Sequence, residues 1–169
     1  MYNAMSRVRM ETSRGAILIE LFEDDAPETV KNFVGLATGT KPWTDPATGE
    51  KVKRPYYDGL RFHRVVPDFV VQSGDPLTRD PAMKQHWGAG GPGYFIRDEL
   101  SGRRQMHERG SVSMAHRGPN TAGSQFFVCQ ARQAQFDGKH TIFGRVAEGM
   151  DVVDRIAEGD EILKVTLEG

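Results

Sequence analysis

The chain has 169 residues, and its 22 basic and 23 acidic side chains give a formal net charge of −1. A chain of this length is expected to fill one domain and to fold without a disulfide or a metal ion. The balanced charge argues against nucleic-acid and membrane-surface partners, and the single cysteine, Cys129, excludes an internal disulfide and fits a reducing compartment.

The N-terminus contains no apolar run of signal-peptide length, and no later segment approaches the length of a membrane span. We therefore expect a cytoplasmic protein without a membrane partner. Met5 could equally be the natural start. Residues 1–6 are accordingly expected to be disordered or a remnant of cloning, within a single domain that covers residues 1–169.

The first third of the chain predicts a β-hairpin followed by a helix. Residues 8–12 and 16–22 form the hairpin, and the second of these strands is apolar on much of both faces. A helix is predicted from Pro27 to a stop at Gly39, with Asp25 as its cap. Its apolar stripe needs a partner surface, which the strands provide.

The rest of the chain predicts further strands and a second helix. A polar loop at 40–56 and a glycine-rich loop at 76–93 separate these elements. The second helix is predicted at 150–158. The strands are predicted at 60–66, 69–72, 111–115, 125–129, 141–146 and 162–167. Because strands far outnumber helices, the predicted fold is mainly β, a closed barrel covered by two helices.

Aromatic and polar side chains combine in a way that predicts a ligand pocket. In an extended segment alternate side chains share a face, so residues 125–129 place one face in the core and offer Gln125 and Phe127 to a ligand. An apolar pocket with a few polar groups at its rim is the usual composition of a small-ligand site. The predicted walls are Phe69, Val70 and Phe127, and the predicted rim carries Arg64 and Gln72.

No nucleophile–base pair is evident in the sequence. Ser124 does not lie in a nucleophile-elbow pattern, the five histidines lack metal-ligand spacing, and Cys129 is predicted to be a buried, inert thiol. We therefore expect no metal and no cofactor. Rotation about a peptide bond needs neither, and its barrier is about 18–20 kcal/mol. Lowering this barrier by about 5–7 kcal/mol gives roughly a thousand events per second.

Three segments, in order and spacing, resemble the signature of the cyclophilins. They are FHRVVPDFVVQ at 62–72, SMAHRGPNTAGSQFF at 113–127 and FDGKHTIFG at 136–144. The resemblance covers nearly the whole chain, through APETVKNF at 26–33 to GMDVVD at 149–154. It implies a closed, eight-stranded antiparallel β-barrel capped by two α-helices. It also implies a peptidyl-prolyl cis-trans isomerase that assists the folding of proline-containing, unfolded or flexible polypeptides.

The resemblance implies a role for each matched residue. Arg64 matches the family's catalytic arginine, and Gln72 matches a residue that helps to hold this arginine and the substrate carbonyl. An interaction that strengthens only in the twisted state accelerates the reaction. The substrate-binding positions are Phe69, Val70, Phe127 and Phe136 in the proline pocket, Ala115 and His116 on the strand edge that binds the substrate backbone, and Gln125 and His140 as further polar contacts.

Three residues depart from the family pattern. Val70 stands where methionine is frequent, which keeps the wall apolar but shortens it. His116 stands where asparagine is frequent, and the change is expected to be mild because the contact uses the backbone. Gln135 stands where cyclosporin-sensitive members have tryptophan, so we expect cyclosporin to bind weakly. A monomer is expected, since no obvious apolar surface remains once the core is assigned.

Two alternatives accompany these predictions. A binding module would use the same groove to hold proline-containing partners without turnover, although an intact Arg64 argues against it. The run GAGGPG at 88–93 faintly resembles a phosphate loop. No clear strand leads into it and no helix leaves it, so a flexible loop is predicted instead.

Overall fold

The structure of the protein, a computed structural model, describes residues 5–168. The predicted disordered or cloning-derived start therefore falls, at residues 1–4, outside the described residues. Ser6 is described, and its N–H donates to Glu23 Oε1 at 2.8 Å while its carbonyl accepts from the N–H of Leu21 at 2.8 Å. Residue 6 thus already belongs to the folded sheet.

The described residues contain ten strands and two α-helices. The helices are α1, Pro27–Thr38, and α2, Met150–Arg155. The strands are β1 Arg7–Thr12, β2 Gly15–Leu21, β3 Trp43–Thr44, β4 Lys51–Val52, β5 Arg64–Val66, β6 Val70–Ser73, β7 Ser111–Met114, β8 Phe126–Cys129, β9 Ile142–Glu148 and β10 Ile162–Glu168. Short 3₁₀ turns lie at Pro76–Arg79, Pro81–His86 and Ala134–Phe136. No helix among residues 5–168 is long and apolar enough to cross a membrane.

Eight strands form one curled antiparallel sheet in the order β10-β1-β2-β9-β7-β8-β6-β5. In the described part of the chain β5 and β10 are its edges, so the sheet is a half-barrel and the prediction of a closed barrel is wrong. The predicted strand at 60–66 divides, because residues 59–62 turn towards residues 159–162 while β5 pairs with β6. Four backbone hydrogen bonds of 2.7–2.8 Å join these two segments without extending the sheet.

The core lies inside the curl of the sheet, under α1. Val30, Phe33 and Leu36 bury the apolar stripe of this helix, as predicted, and the Phe33 ring lies 4.9 Å from that of Tyr57 and 5.1 Å from that of Phe143. The other helix, α2, is shorter than predicted. It ends at Arg155 because Ile156 adopts an extended backbone that carries the chain back to residues 159–162.

The cap of α1 comes from a distant residue, so the prediction of Asp25 as cap is wrong. Glu99 accepts hydrogen bonds from the N–H groups of Glu28 and Thr29 at 3.2 and 2.7 Å, and from Thr29 Oγ1 at 2.7 Å. A carboxylate at this end satisfies free N–H groups and favours the helix dipole. Asp25 instead accepts from the backbone and side chain of Arg104 and from the N–H of Arg103.

The two segments predicted as loops contain regular turns and a short hairpin. Within 40–56, β3 and β4 form a small hairpin that buries Trp43, whose Nε1 donates to the carbonyl of Arg54 at 2.8 Å. Within 76–93, Asp75 and Asp80 cap the two 3₁₀ turns. The loops also meet, because Thr44 N–H donates to the carbonyl of Pro92 at 2.9 Å. The polar composition of these segments did not predict the turns, because the turns are stabilised by tertiary contacts.

Replacing Glu99 is expected to destabilise the fold through α1. Glu99→Ala should lower the free energy of unfolding by about 1–2 kcal/mol, because two N–H groups lose a charged acceptor. Urea unfolding followed by circular dichroism measures this change. Glu158→Ala is the matched control, since Glu158 is exposed. Equal stabilities of the two variants would contradict the capping role.

Candidate active site

The predicted pocket walls come together on β6, β8 and the turn before β9. Val70 and Phe127 are buried, and Phe69, Ala115 and Phe136 pack against them. The Phe136 ring lies 5.2 Å from that of Phe127 and 5.7 Å from that of Phe69. This small cluster is separate from the main core. It forms an apolar surface on which a ring of similar size can pack.

Arg64 and Gln72 are directly opposite each other on β5 and β6. The Arg64 guanidinium carbon lies 5.4 Å from the centre of the Phe69 ring, within the range of a cation–π contact. Arg64 is exposed, and its side chain makes no hydrogen bond or ion pair with any described residue. Gln72 Nε2 donates to Gln125 Oε1 at 3.1 Å, and no hydrogen bond joins the side chains of Gln72 and Arg64. The guanidinium donors are therefore free for a ligand.

A groove of about 650 Å³ continues from the pocket and shares Gln72, Ala115, His116 and Gln125 with the predicted site. Its other wall is the glycine-rich segment, which is held in place and not the flexible loop that was predicted. Gln125 Nε2 donates to the carbonyls of Gly88 and Gly90 at 2.9 and 2.8 Å. A Cβ at Gly90 would lie 2.2 Å from Asp75 Oδ1, so only glycine fits there.

His140 and His116 lie beside the pocket as a stacked pair. Their ring centroids are 4.0 Å apart and their planes differ by 7°. His140 also meets the rings of Phe127 and Phe136 edge-on, at 5.5 and 5.0 Å. Burial lowers the pKa of His140, so its ring is neutral near pH 7. The structure thus brings all ten predicted site residues into one region of the molecule, with Val70 and Phe127 buried.

A hydrogen-bonded Asp–His–Ser array that the sequence did not reveal lies beneath the pocket. His107 Nδ1 is 3.0 Å from Asp137 Oδ1, and its Nε2 is 2.8 Å from Ser113 Oγ. These are the contacts of a nucleophile, a base and an orienting acid. Both Ser113 and His107 are fully buried, however, so no substrate reaches the hydroxyl. The His107 ring instead stacks on Phe127 at 5.9 Å and supports the pocket floor.

Asp137 is the anchor of this array. It accepts from Arg132 through both carboxylate oxygens, at 3.0 and 2.5 Å, and from the N–H of His107 at 2.7 Å. Arg132 above all holds the pKa of Asp137 well below its usual range. Burial lowers the pKa of His107, and its Nδ1 donates to the Asp137 carboxylate, which can only accept, while Ser113 Oγ donates to the carbonyl of Thr141 at 3.0 Å. No local pattern signals this array, because its members lie 30 residues apart at the extremes, from His107 to Asp137.

Cys129 lies behind the pocket wall and is fully buried. Burial raises the pKa of its thiol to about 12. The thiolate is the reactive form of cysteine, so this thiol is not a nucleophile near neutral pH. The site therefore offers an apolar surface, a guanidinium with free donors and amide groups, which is the composition of a protein that binds a small or peptide ligand.

Comparisons with known proteins identify the family. The model of the cyclophilin type peptidyl-prolyl cis-trans isomerase/CLD family matches residues 7–167. Peptidyl-prolyl cis-trans isomerase B of Streptomyces anulatus is 46% identical over 150 residues, 88% of this chain and 81% of the relative. A peptidyl-prolyl cis-trans isomerase of Synechococcus elongatus is 40% identical over 165 residues, 96% of this chain and 97% of the relative.

Solved structures agree with the sequence relatives. A cyclophilin type peptidyl-prolyl cis-trans isomerase of Cryptosporidium parvum has a TM-score of 0.76 at 27% identity, covering 98% of both chains. The same protein in the presence of the dipeptide Ala-Pro gives a TM-score of 0.75, covering 96% of this chain and 99% of that one. The chain therefore belongs to the cyclophilin-type peptidyl-prolyl cis-trans isomerases, and its activity is the isomerisation of peptide bonds that precede proline.

Asp137→Asn is expected to lower the free energy of unfolding by about 2 kcal/mol at neutral pH, because charge-assisted hydrogen bonds are lost. The folded-state pKa of Asp137 lies below its unfolded value. Its contribution is therefore complete above about pH 4 and declines as the pH falls through the folded-state pKa. Urea unfolding at several pH values tests this, with Asp151→Asn, 75% exposed, as control. A difference that stays constant into strong acid would contradict the assignment.

Proposed function

We propose that Arg64 is the catalytic residue, assisted by Gln72, and that residues 1–169 act as one isomerase domain. The observation that carries this assignment is the free guanidinium at the rim of the Phe69, Phe127 and Phe136 pocket. Other arginines, such as Arg132, already donate to carboxylates in ion pairs. A cation without a partner beside an apolar pocket is positioned to act on a ligand.

The proposed mechanism uses the pocket to hold the proline ring while the preceding bond rotates. A planar peptide bond delocalises the nitrogen lone pair into the carbonyl, and twisting returns this pair to the nitrogen. The Arg64 guanidinium then donates to the prolyl nitrogen. Because this hydrogen bond forms only in the twisted state, it lowers the barrier without tightening ground-state binding.

The remaining site residues are proposed to fix the peptide on either side of the proline. The strand end at Ala115 and His116 binds the peptide backbone, Gln72 and Gln125 supply amide groups, and His140 closes the pocket wall. Gln125 is already oriented by the carbonyls of Gly88 and Gly90. A fixed orientation reduces the freedom that binding must remove. Val70 is fully buried beneath Phe127 and acts as floor.

The proposed substrates are proline-containing, unfolded or flexible polypeptides, so the protein assists folding as a chaperone-like enzyme. The Cryptosporidium parvum relative solved in the presence of Ala-Pro supports a proline-peptide ligand. The site contacts a proline and few neighbours, so many chains are suitable clients. We further propose a monomer that acts in the cytoplasm, where the reduced state of Cys129 is maintained.

The second candidate is a module that binds proline peptides without turnover. The apolar cluster alone would serve it, and the unpaired guanidinium is the observation against it. One experiment that measures both peptide binding and cis–trans exchange distinguishes the enzyme from the binding module. Acceleration of cis–trans exchange marks the enzyme, whereas saturable peptide binding without acceleration marks the module.

Arg64→Ala is expected to reduce kcat/KM for an Ala-Pro peptide by about 10²–10³-fold, which is the typical effect of removing one transition-state donor. Exchange spectroscopy by NMR measures the rate, because the uncatalysed reaction takes tens to hundreds of seconds. Stability should change little, since Arg64 is exposed. Arg155→Ala on α2 is the matched control. Equal rates for wild type and Arg64→Ala would remove Arg64 from the mechanism.

Cyclosporin is proposed to bind weakly, because Gln135 is exposed and donates to Gln133 Oε1 at 2.8 Å. It therefore offers no aromatic surface to an apolar ligand. Gln135→Trp is expected to raise the affinity at least tenfold through added apolar area, while isomerase activity stays within about twofold. Calorimetric titration measures the affinity, and Ala134→Trp on the same turn is the control. An unchanged affinity for Gln135→Trp would reject this explanation.

A further inference from the structure

His116 makes side-chain contacts that its backbone role does not require. Its ring stacks on His140 with centroids 4.0 Å apart and planes 7° from parallel. Sequence reasoning treated the change from the family's frequent asparagine as mild. An asparagine has no ring to lay against His140, so this chain has a feature that the common residue cannot supply.

The hydrogen bonds of the pair define which nitrogen of each ring carries the proton. His116 Nε2 lies 2.7 Å from the carbonyl of Lys139 and must donate, while Gly118 N–H donates to Nδ1 at 3.2 Å. His140 Nδ1 lies 2.8 Å from the carbonyl of Met114 and also donates. His116 thus donates through one ring nitrogen and accepts through the other, and burial lowers the pKa of His140, so its Nε2 keeps a lone pair near neutral pH.

These contacts restrict His140 from two sides. His116 covers one ring face, and the Met114 carbonyl holds the Nδ1 edge. The ring meets Phe127 and Phe136 edge-on. His140 cannot rotate without breaking both the stack and the hydrogen bond. Of the four ring nitrogens of this pair, only His140 Nε2 has no hydrogen-bond partner among the described residues.

We propose that His116 is a positioning residue, which holds His140 against the proline pocket with Nε2 free to accept a hydrogen bond from the bound peptide. The role rests on the proposed function, because it requires a peptide in this pocket. A proton on His140 Nε2 would remove the lone pair that accepts this hydrogen bond.

The surroundings of His140 favour its neutral form. Burial lowers the pKa of His140, and nearby His116 and His107 lower it further, while the Met114 carbonyl and Asp98 act in the opposite direction. Lys139 and Arg117 flank the pair in the chain and add positive charge. We therefore expect isomerase activity to be complete at neutral pH and to fall as the pH drops and His140 takes up a proton.

Two variants distinguish the stacking contact of the His116 ring from the effect of its charge on His140. His116→Ala removes the stacking surface and is expected to raise KM for an Ala-Pro peptide by roughly three- to tenfold, with little change in kcat. His116→Phe keeps a flat ring and should return KM to within about twofold of wild type. In His116→Phe the titration of His140 moves to higher pH, because the competing positive charge is gone. His86→Ala, an exposed histidine, is the control.

NMR provides both readouts, the exchange rate of the peptide and the titration of the His140 ring protons. A wild-type KM in His116→Ala, or a His140 titration in His116→Phe that matches wild type, would overturn the role of His116 while leaving the isomerase in place. Absence of catalysis in the wild type would instead remove the proposed function. If His116→Ala does not fold, the His140 titration in His116→Phe decides the question.

Discussion

The pairing of β6 with β8 is the constraint on which the site depends. Successive side chains on β8 point to opposite faces, so Phe126 enters the main core while Phe127 forms the pocket. The register that sets Gln72 opposite Phe127 also sets Val70 opposite Cys129. A slip of one residue would place Phe127 in the core and expose the inward ring. Packing of Phe126 in the core therefore also fixes the position of Phe127 in the pocket wall.

The site works by a contrast between satisfied and unsatisfied polar groups. Around the pocket, Asp137, Gln125 and His140 are held by two or more hydrogen bonds or ring contacts. Arg64 differs, because its guanidinium donors have no partner among the described residues, and it lies on a strand of three residues at the edge of the sheet. In the proposed mechanism, the fixed groups around this guanidinium direct binding energy to the rotation step.

Local patterns predicted most of the elements, whereas contacts between distant residues were out of reach. Alternating apolar residues placed the sheet strands to within a few residues, except at 60–66, where the chain divides between two partners. The cap of α1 illustrates the limit, because Glu99 lies 71 residues from Glu28. Family resemblance predicted the site residues, and the structure brings them together. Neither the local patterns nor the resemblance predicted the glycine-rich wall, which packs closely on Asp75, or the buried array, which Asp137 holds. Both depend on contacts between residues that are distant in the sequence.

The array of Ser113, His107 and Asp137 has a consequence for annotation by geometry. A template search for hydrolases, based on distances alone, would report it, since its contacts of 2.8 and 3.0 Å match those of a reactive serine. Access separates the two cases, because a fluorophosphonate reagent cannot reach a hydroxyl that has no solvent-exposed surface. The same three side chains can therefore be catalytic in one fold and purely structural in another.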